Sequence, residues 1–129
     1  MNIEKLEEIS SFCKTLNLLY VVKDKNNEDN NLEYFKNFFN EVALIDNGID
    51  ALKEFGENKF SIIISDIDID GINGFELIEK IKNINKNIVT MIYSQNDDKE
   101  SFLKTIYLKI DGYLMPPFNT NNFLEILSK

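Results

Sequence analysis

Acidic side chains follow two apolar segments of the sequence and could together form one anionic site. Asp24 stands just beyond residues 18–22, while Asp66 and Asp68 come just after residues 60–64. The carboxyl ends of parallel strands meet along one edge of an open sheet, so we expect the Asp24 and Asp66 carboxylates to lie close together. Carboxylates, with a main-chain carbonyl such as that of Asp68, suit a hydrated Mg²⁺ ion. The spacing therefore predicts a Mg²⁺ site.

A solvated turn is the alternative role for the same residues, because Asp commonly closes turns after strands. The run from Asp66 to Gly71 alternates Asp with Ile before it reaches the glycine. This run is also similar to the start of an EF-hand loop, with Gly71 at the sixth position. The twelfth position of that loop requires Glu, whereas this sequence has Leu77. An EF-hand is excluded, and a turn stays open for any one of the carboxylates.

Five short apolar runs alternate with segments of helical spacing. Nearly continuous apolar runs are typical of parallel strands covered on both faces, and their alternation with helices indicates an α/β fold. Strands this short and this few favour an open, doubly wound, flavodoxin-like (βα)5 sheet over an eight-stranded barrel. The predicted strands are residues 18–22, 42–45, 60–64, 89–93 and 113–115.

Helical spacing gives one apolar face to each of the five segments that follow these strands. Phe35, Phe38 and Phe39 are expected to face the core, with Tyr34 more exposed, and Gly56 is expected to end the second of these helices. The predicted faces are Leu32, Phe35, Phe38 and Phe39; Ile49, Leu52 and Phe55; Phe75, Ile78 and Ile81 or Leu77; Phe102, Leu103, Ile106 and Ile110; and Phe123, Leu124, Ile126 and Leu127.

An additional helix is predicted at residues 3–16, ahead of the first strand. Its apolar stripe is expected to pack on the domain or on a second copy of the chain. The predicted division is an N-terminal helix at residues 1–16 and an α/β domain at residues 17–129, and the sequence leaves open whether a further domain follows. The stripe consists of Ile3, Leu6, Ile9 and Cys13.

The composition argues against several classes of function. The 129 residues include 14 lysines, no arginine and 22 acidic residues, for a net charge of −8, so no direct nucleic-acid binding is expected. The absence of histidine excludes a histidine phosphodonor, His-ligated zinc and His-dependent nucleophiles. No apolar run approaches the roughly 18 to 20 residues of a membrane span. Cys13, the lone cysteine, cannot close an internal disulfide and is expected to fill the core, so a cytoplasmic location is expected.

Residues 62–77 resemble the phosphoacceptor strand, loop and third helix of the receiver domain of two-component response regulators. They read Ile-Ile-Ile-Ser-Asp-Ile-Asp-Ile-Asp-Gly-Ile-Asn-Gly-Phe-Glu-Leu. The resemblance runs from about Leu18 to the C-terminus, so it identifies residues 17–129 as a receiver domain. A further match to the family follows the second strand, at Asn47, Gly48, Ala51 and Leu52.

The resemblance implies a role for each candidate site residue. Asp66 is the phosphoacceptor and, with Asp24, a ligand of Mg²⁺, while Asp68 adds its main-chain carbonyl to the metal site. Ser94 matches the family's switch hydroxyl, which contacts the phosphoryl group. Tyr113, between Gly112 and Leu114, matches the switch aromatic residue.

The function that the resemblance implies is signal transduction in a phosphorelay. A sensor histidine kinase or a phosphotransfer protein donates the phosphoryl group, and a downstream output domain or protein reads the altered surface. No enzymatic activity beyond self-phosphorylation is expected. A pseudo-receiver, which signals through protein contacts without phosphorylation, is the alternative, and a small Mg²⁺-dependent phosphatase is a third. The cognate kinase, the output and the oligomeric state, including a homodimer, stay open.

Two positions depart from the family's pattern. Lys23 precedes Asp24 where the family has a second acidic residue, and Pro116 stands where the family has a lysine that pairs with the acceptor. Proline offers neither a cation nor an N–H donor. One hypothesis is that Lys23 replaces the missing ammonium and pairs with Asp66, and the other is that it points into solvent. A paired Lys23 could anchor the phosphoryl group or displace Mg²⁺.

Overall fold

Five parallel strands form one sheet in the computed structural model, which describes residues 2–27 and 31–128. The strands are β1 (Asn17–Val21), β2 (Glu41–Ile45), β3 (Ile62–Ser65), β4 (Val89–Tyr93) and β5 (Gly112–Leu114). Their order across the sheet is β2-β1-β3-β4-β5, which is the doubly wound order of flavodoxin-like folds. The predicted fold class is confirmed, and so are the five strands, with small shifts at their ends.

Six α-helices lie within the described residues, and each spans 8 to 11 residues. An Asn or Asp side chain accepts a main-chain N–H in the first turn of five of them, which fixes where those helices begin. None of the described helices is both long and apolar enough to cross a membrane. The helices are α1 (Ile3–Cys13), α2 (Asn31–Phe38), α3 (Gly48–Glu57), α4 (Gly74–Ile84), α5 (Lys99–Tyr107) and α6 (Thr120–Leu127), and a 3-10 turn spans Lys25–Asn27.

Two hydrophobic cores cover the two faces of the sheet. Side chains of β1 alternate between them, since Leu18 and Tyr20 pack on one face and Leu19 and Val21 on the other. Helices α1, α2 and α6 cover the first face, and α3 and α4 cover the second. Burial on both faces explains why the strands are nearly continuous apolar runs in the sequence.

Helix α1 packs on the domain through its C-terminal half. Ile9 and Cys13 are buried in the core that α2 and α6 share, whereas Ile3 and Leu6 are exposed. The predicted burial of Cys13 is confirmed. The predicted helix to residue 16 is too long, because the chain turns directly after Cys13. Met1 and Lys129, the outer ends of the two predicted regions, lie outside the described residues.

Helix α5 departs most from its prediction. Phe102, Leu103 and Ile106 were expected to face the core, yet they are 37%, 54% and 73% exposed, and Ile110 lies beyond the helix and is half-buried. The physical reason is that α5 leads into β5, an edge strand of three residues that offers little surface for packing. The prediction that this apolar face is buried is therefore wrong.

Polar contacts hold α5 at its two ends instead. At its start, the Asp98 carboxylate accepts hydrogen bonds from the main-chain N–H and the hydroxyl of Ser101, at 3.0 and 2.9 Å. At its end, the ammonium of Lys82 in α4 donates to the carbonyls of Leu108 and Lys109, each at 2.9 Å. Helix α5 is thus capped at its start and joined to α4 at its end, and it leaves an apolar face exposed.

Helix α3 corrects two smaller predictions. Ile49, expected on the buried face, is 57% exposed, and Ala51 reaches the core instead. The helix also continues past Gly56 to Glu57, because the N–H of Asn58 still donates within its last turn. The buried stripe of α3 is therefore rotated about the helix axis relative to the prediction, while the helix occupies its predicted place in the sequence.

Tyr34 belongs to an aromatic cluster on the first face of the sheet. Its ring centroid lies between 5.4 and 6.1 Å from those of Phe35, Phe38, Phe118 and Phe123. Tyr34 is half-buried and is therefore more exposed than the buried Phe35 and Phe39, as predicted. The cluster ties α2 to α6 because aromatic rings bury a large area in each contact.

Candidate functional site

The candidate site lies where β1, β3 and β4 end. The register pairs Val21 with Ser65, and the main-chain N–H of Asp66 donates to the Val21 carbonyl at 3.0 Å. Asp66 therefore leaves the sheet directly beside the end of β1. On its other side, Ser65 pairs with Ile92, so Ser94 emerges at the same edge. Three strands thus deliver residues to one place.

A small open cavity brings most of the predicted site residues together. Lys23, Asp66, Asp68 and Ser94 line it, together with Pro116, and its volume is about 220 Å³. This is below the roughly 300 to 1,000 Å³ of typical small-molecule sites. The cavity suits a small group, such as a phosphoryl group, better than a whole substrate molecule, so the phosphatase alternative gains no support. Asp24 and Tyr113 were also predicted at the site but do not line the cavity.

The Asp66 carboxylate is half-buried and accepts a long hydrogen bond of 3.3 Å from the N–H of Asp68. Burial raises the pKa of Asp66, and hydrogen bonds from the main-chain N–H groups of Asp68 and Ile67 lower it in part. The charge of Asp68 raises this pKa further, while the ammonium of Lys23 lowers it. The result is a carboxylate partly stripped of water, which is a suitable state for a nucleophile.

Lys23 and Asp24 diverge at the end of β1. Lys23 lines the cavity with Asp66, although the two form no ion pair, and its side chain is largely exposed. Asp24 closes a local turn instead, in which its carboxylate accepts the N–H of Asn26 at 2.9 Å. Of these two residues, Lys23 is therefore the one that lines the cavity with Asp66.

The three predicted Mg²⁺ ligands are divided between the cavity and an adjacent turn. Asp66 and Asp68 line the cavity, but the Asp24 carboxylate is engaged in its turn. Across residues 2–27 and 31–128, no three acidic or cysteine side chains cluster closely enough to hold a metal ion. The Lys23 ammonium also disfavours a second cation beside Asp66. Mg²⁺ binding at this place stays a prediction.

Ser94 and Tyr113 meet through the segment that follows β4. Ser94 is 5% exposed, its N–H donates to Leu114 of β5 at 2.9 Å, and its hydroxyl accepts the N–H of Asn96 at 3.1 Å. The Tyr113 hydroxyl donates to the Asn96 carbonyl at 2.5 Å, and its ring packs edge-on against Phe102 with centroids 5.0 Å apart. Burial raises the pKa of Tyr113, and a hydrogen bond with the Ser94 side chain partly offsets this.

Gly74 allows α4 to begin directly beside Asp66. The N–H of Gly74 donates to the Ile67 carbonyl at 2.9 Å, and a Cβ atom at this position would lie 2.1 Å from the main-chain oxygen of Asp66. Gly71, earlier in the same loop, has a φ of 85°, a conformation that glycine adopts without steric cost. These two glycines fix the path of the loop that carries Asp66.

Two lining residues, Tyr93 and Asn96, have no role predicted from the sequence. The spacing of Ser94 and Asn96 is a usable signal, because a serine hydroxyl can accept the N–H two residues further on. Tyr93 ends a predicted strand, and its position alone gives no such signal. Gln95 is exposed and also lines the cavity.

The sequence matches the family model of the response regulator receiver domain over residues 21–128. It is 32% identical over 90 residues to the probable transcriptional regulator Ycf29 of Pyropia yezoensis, covering 67% of this chain and 40% of that protein. It is 29% identical over 85 residues to the regulatory protein VanRB of Enterococcus faecalis, covering 66% of this chain and 38% of that protein. The chain thus spans about two fifths of these relatives' length.

Solved structures share the fold. The BeF3-activated receiver domain of DrrB, a Thermotoga maritima OmpR/PhoB homolog, has a TM-score of 0.76 at 24% identity and covers 89% of this chain and 99% of its own. The N-terminal domain of an uncharacterized protein from Wolinella succinogenes has a TM-score of 0.78 at 25% identity and covers 88% and 91%. Because the family model matches most of the sequence and the sheet has the order that the resemblance implies, this chain belongs to the family of response regulator receiver domains.

Proposed function

We propose that this chain is a phosphorelay receiver, in which the Asp66 carboxylate accepts a phosphoryl group and so changes a partner-binding surface. The observation that carries the proposal is the half-buried Asp66 carboxylate in a cavity that also holds the Ser94 hydroxyl and the Lys23 side chain. Phosphoryl transfer to a carboxylate needs a nucleophile and groups that stabilise the phosphoryl oxygens. Receiver domains in general are signalling modules rather than classical enzymes.

The chemistry at Asp66 is a displacement at phosphorus. One oxygen of the ionised carboxylate attacks the phosphorus of the donor, and the bond from phosphorus to the donor's leaving atom breaks. The electron pair of that bond departs with the donor, which is a phosphohistidine imidazole or the carboxylate of a small acyl phosphate. The product is an acyl phosphate on Asp66 with a charge of about −2.

The switch follows from the contacts of Ser94. A dianion on Asp66 attracts the Ser94 hydroxyl, which then gives up its contact with the N–H of Asn96. The segment that holds the Tyr113 hydroxyl is thereby released, and Tyr113 turns inward. Because the Tyr113 ring supports Phe102, its movement is transmitted to α5.

Helix α5, β5 and α6 form the surface that partners would read. Leu103, Ile106 and Tyr107 of α5 are 54%, 73% and 82% exposed, so an apolar face is available for contact. Histidine kinases and output domains are the partners of the receiver family in general. For this chain, a kinase or phosphotransfer protein as donor, a downstream output and a homodimer are proposals.

Metal binding is a separate part of the proposal. Receiver domains in general use Mg²⁺ at the phosphorylation site. The residues predicted to hold it here are Asp24, Asp66 and Asp68, and one oxygen of the Asp24 carboxylate accepts the N–H of Asn26.

A pseudo-receiver is the second candidate function, and two observations favour it. Pro116 lines the cavity without offering a cation or an N–H, and Asp24 is engaged in a turn away from the cavity. Such a protein would keep the fold and the exposed face of α5 but would not accept a phosphoryl group. The two candidate functions therefore differ in whether Asp66 accepts a phosphoryl group.

Incubation of the purified protein with acetyl phosphate, with and without Mg²⁺, distinguishes the two candidates. The intact mass should rise by one phosphoryl group in the native protein and not in Asp66→Asn. Asp70→Asn is the matched control, because Asp70 is exposed in the same loop and does not line the cavity, so it should be modified like the native protein. No mass increase under either condition would support the pseudo-receiver.

A further inference from the structure

We propose that Lys23 supplies the cation of this receiver: its ammonium binds the phosphoryl oxygens at Asp66 and replaces the divalent metal, so that Asp66 is phosphorylated in the absence of Mg²⁺. The inference rests on the proposed phosphotransfer to Asp66 and deepens it by assigning the stabilising charge. Lys23 therefore acts as a catalytic residue in direct contact with the transferred group.

The sheet places Lys23 beside the acceptor. Val21 is the last residue of β1, its carbonyl accepts the N–H of Asp66, and Lys23 follows two residues later. Lys23 and Asp66 line the same cavity of about 220 Å³. A phosphoryl group on Asp66 that enters this cavity therefore comes within reach of a flexible lysine side chain.

The Lys23 ammonium is not committed to another acidic group. Within residues 2–27 and 31–128, the one ion pair joins Lys104 to Glu100 on the surface of α5. Lys23 has neither an ion pair nor a side-chain hydrogen bond among the contacts found there. Its charge can consequently turn toward a new anion without first breaking a contact.

Charge balance identifies the phosphorylated state as the one that needs Lys23. The lining contains two carboxylates, those of Asp66 and Asp68, and Lys23 is its cationic residue. Phosphorylation replaces the single charge of Asp66 with about −2, so the phosphorylated cavity carries more negative charge than the free cavity. An ammonium beside Asp66 offsets the repulsion between the carboxylate and the phosphoryl oxygens as they approach each other, and it thereby stabilises the transition state.

The same geometry disfavours a divalent metal. Asp24 accepts the N–H of Asn26 and does not line the cavity, so the carboxylates on the lining are Asp66 and Asp68. A metal ion beside Asp66 would also approach the Lys23 ammonium, and like charges repel. The replacement of Lys23 by a neutral side chain should therefore strengthen Mg²⁺ binding.

The test measures the phosphorylation rate of the full chain by acetyl phosphate, in EDTA and in Mg²⁺. In EDTA the native protein should react, Lys23→Met should be slower by about 100-fold, and Lys23→Arg should keep most of the rate. Lys25→Met is the matched control, because Lys25 is exposed nearby and does not line the cavity, and its rate should equal that of the native protein. Adding Pro116→Lys to Lys23→Met should recover activity, because it returns a cation to the lining.

Mg²⁺ affinity, measured by calorimetry without phosphodonor, provides a second result. Lys23→Met should bind Mg²⁺ about tenfold more tightly than the native protein. Equal rates in EDTA for the native protein and Lys23→Met, or a native protein that reacts only with Mg²⁺, would overturn the role of Lys23 while leaving the proposed function intact. A native protein that reacts under neither condition would overturn the proposed function itself. Since Lys23 is exposed, unchanged thermal unfolding would show that the variants fold.

Discussion

Substitution of Gly74 by alanine should damage the loop that carries Asp66. Gly74 is the first residue of α4, and the Cβ atom of Ala would lie 2.1 Å from the Asp66 carbonyl oxygen and 3.1 Å from the Ile67 Cα. Both neighbours are main-chain atoms, so no side-chain rotation relieves the clash. Either α4 or the end of the Asp66 loop must move.

The expected loss of stability follows from three contributions. Forcing an extra carbon into a packed site costs about 1–3 kcal/mol. Moving α4 away weakens the hydrogen bond from Gly74 N–H to the Ile67 carbonyl, 2.9 Å long, which contributes about 1 kcal/mol. The preference of a helix for Ala over Gly returns at most about 1 kcal/mol. We therefore expect Gly74→Ala to lower the free energy of unfolding by about 1–4 kcal/mol.

Gly56→Ala is the matched control, because a Cβ atom at Gly56 meets no atom within 4 Å. This substitution lies inside α3 and should stabilise the protein by about 0.5–1 kcal/mol. Urea unfolding followed by circular dichroism measures both variants against the native protein. The acetyl phosphate assay on the same samples should show slower modification of Gly74→Ala, because its Asp66 is displaced.

Equal unfolding free energies for Gly74→Ala and Gly56→Ala would refute this reasoning. That result would mean that α4 and the Asp66 loop are not in the close contact on which the site depends. If Gly74→Ala is destabilised but is modified at the native rate, the loop has lost stability without displacing the Asp66 carboxylate.

Two further predictions concern α5 and the core. Lys82→Met removes two hydrogen bonds to the carbonyls at the end of α5. It should lower the free energy of unfolding by about 1–2 kcal/mol and speed amide hydrogen exchange in α5. Lys80→Met, on the exposed side of α4, should change neither quantity. Burial raises the pKa of Cys13 from 9.0 to about 11, so the thiol should react slowly with disulfide reagents in the folded protein. The unfolded state loses this proton first, so the contribution of the Cys13 thiol to stability should be complete below pH 9.0. It should be lost as the pH rises to about 11, which lowers the free energy of unfolding by up to about 3 kcal/mol. Cys13→Ala, compared by urea unfolding at each pH, should lack this component, and identical pH profiles would contradict the assigned pKa.

The fold was predictable because its strands are buried on both faces. The central strand β3 reads as four consecutive buried residues, and no helix pattern competes with such a run. Helical spacing was less informative for α5, because spacing shows which side chains share a face but not whether anything covers that face. The three-residue edge strand β5 leaves Ile106 exposed, and a tertiary feature of this kind is invisible in the spacing.

The candidate site was predictable in its main-chain positions and less so in its side-chain directions. Asp66 and Ser94 follow strands that are neighbours in a doubly wound sheet, so topology alone brings them to one cavity. Asp24 follows a neighbouring strand too, but a hydrogen bond to the N–H of Asn26 decides where its carboxylate points. Whether the Asp24 carboxylate closes the turn or reaches the cavity depends on the local backbone conformation. The residue type alone does not determine that conformation.

The most direct test of Asp66 as the phosphoacceptor is to locate the phosphoryl group within the chain. Borohydride reduces an acyl phosphate to an alcohol, so treatment of acetyl phosphate-modified protein followed by tandem mass spectrometry marks the modified aspartate. If Asp66 is the phosphoacceptor, reduction occurs at Asp66 and at no other acidic residue. Reduction at another residue, or at none, would contradict the proposed function.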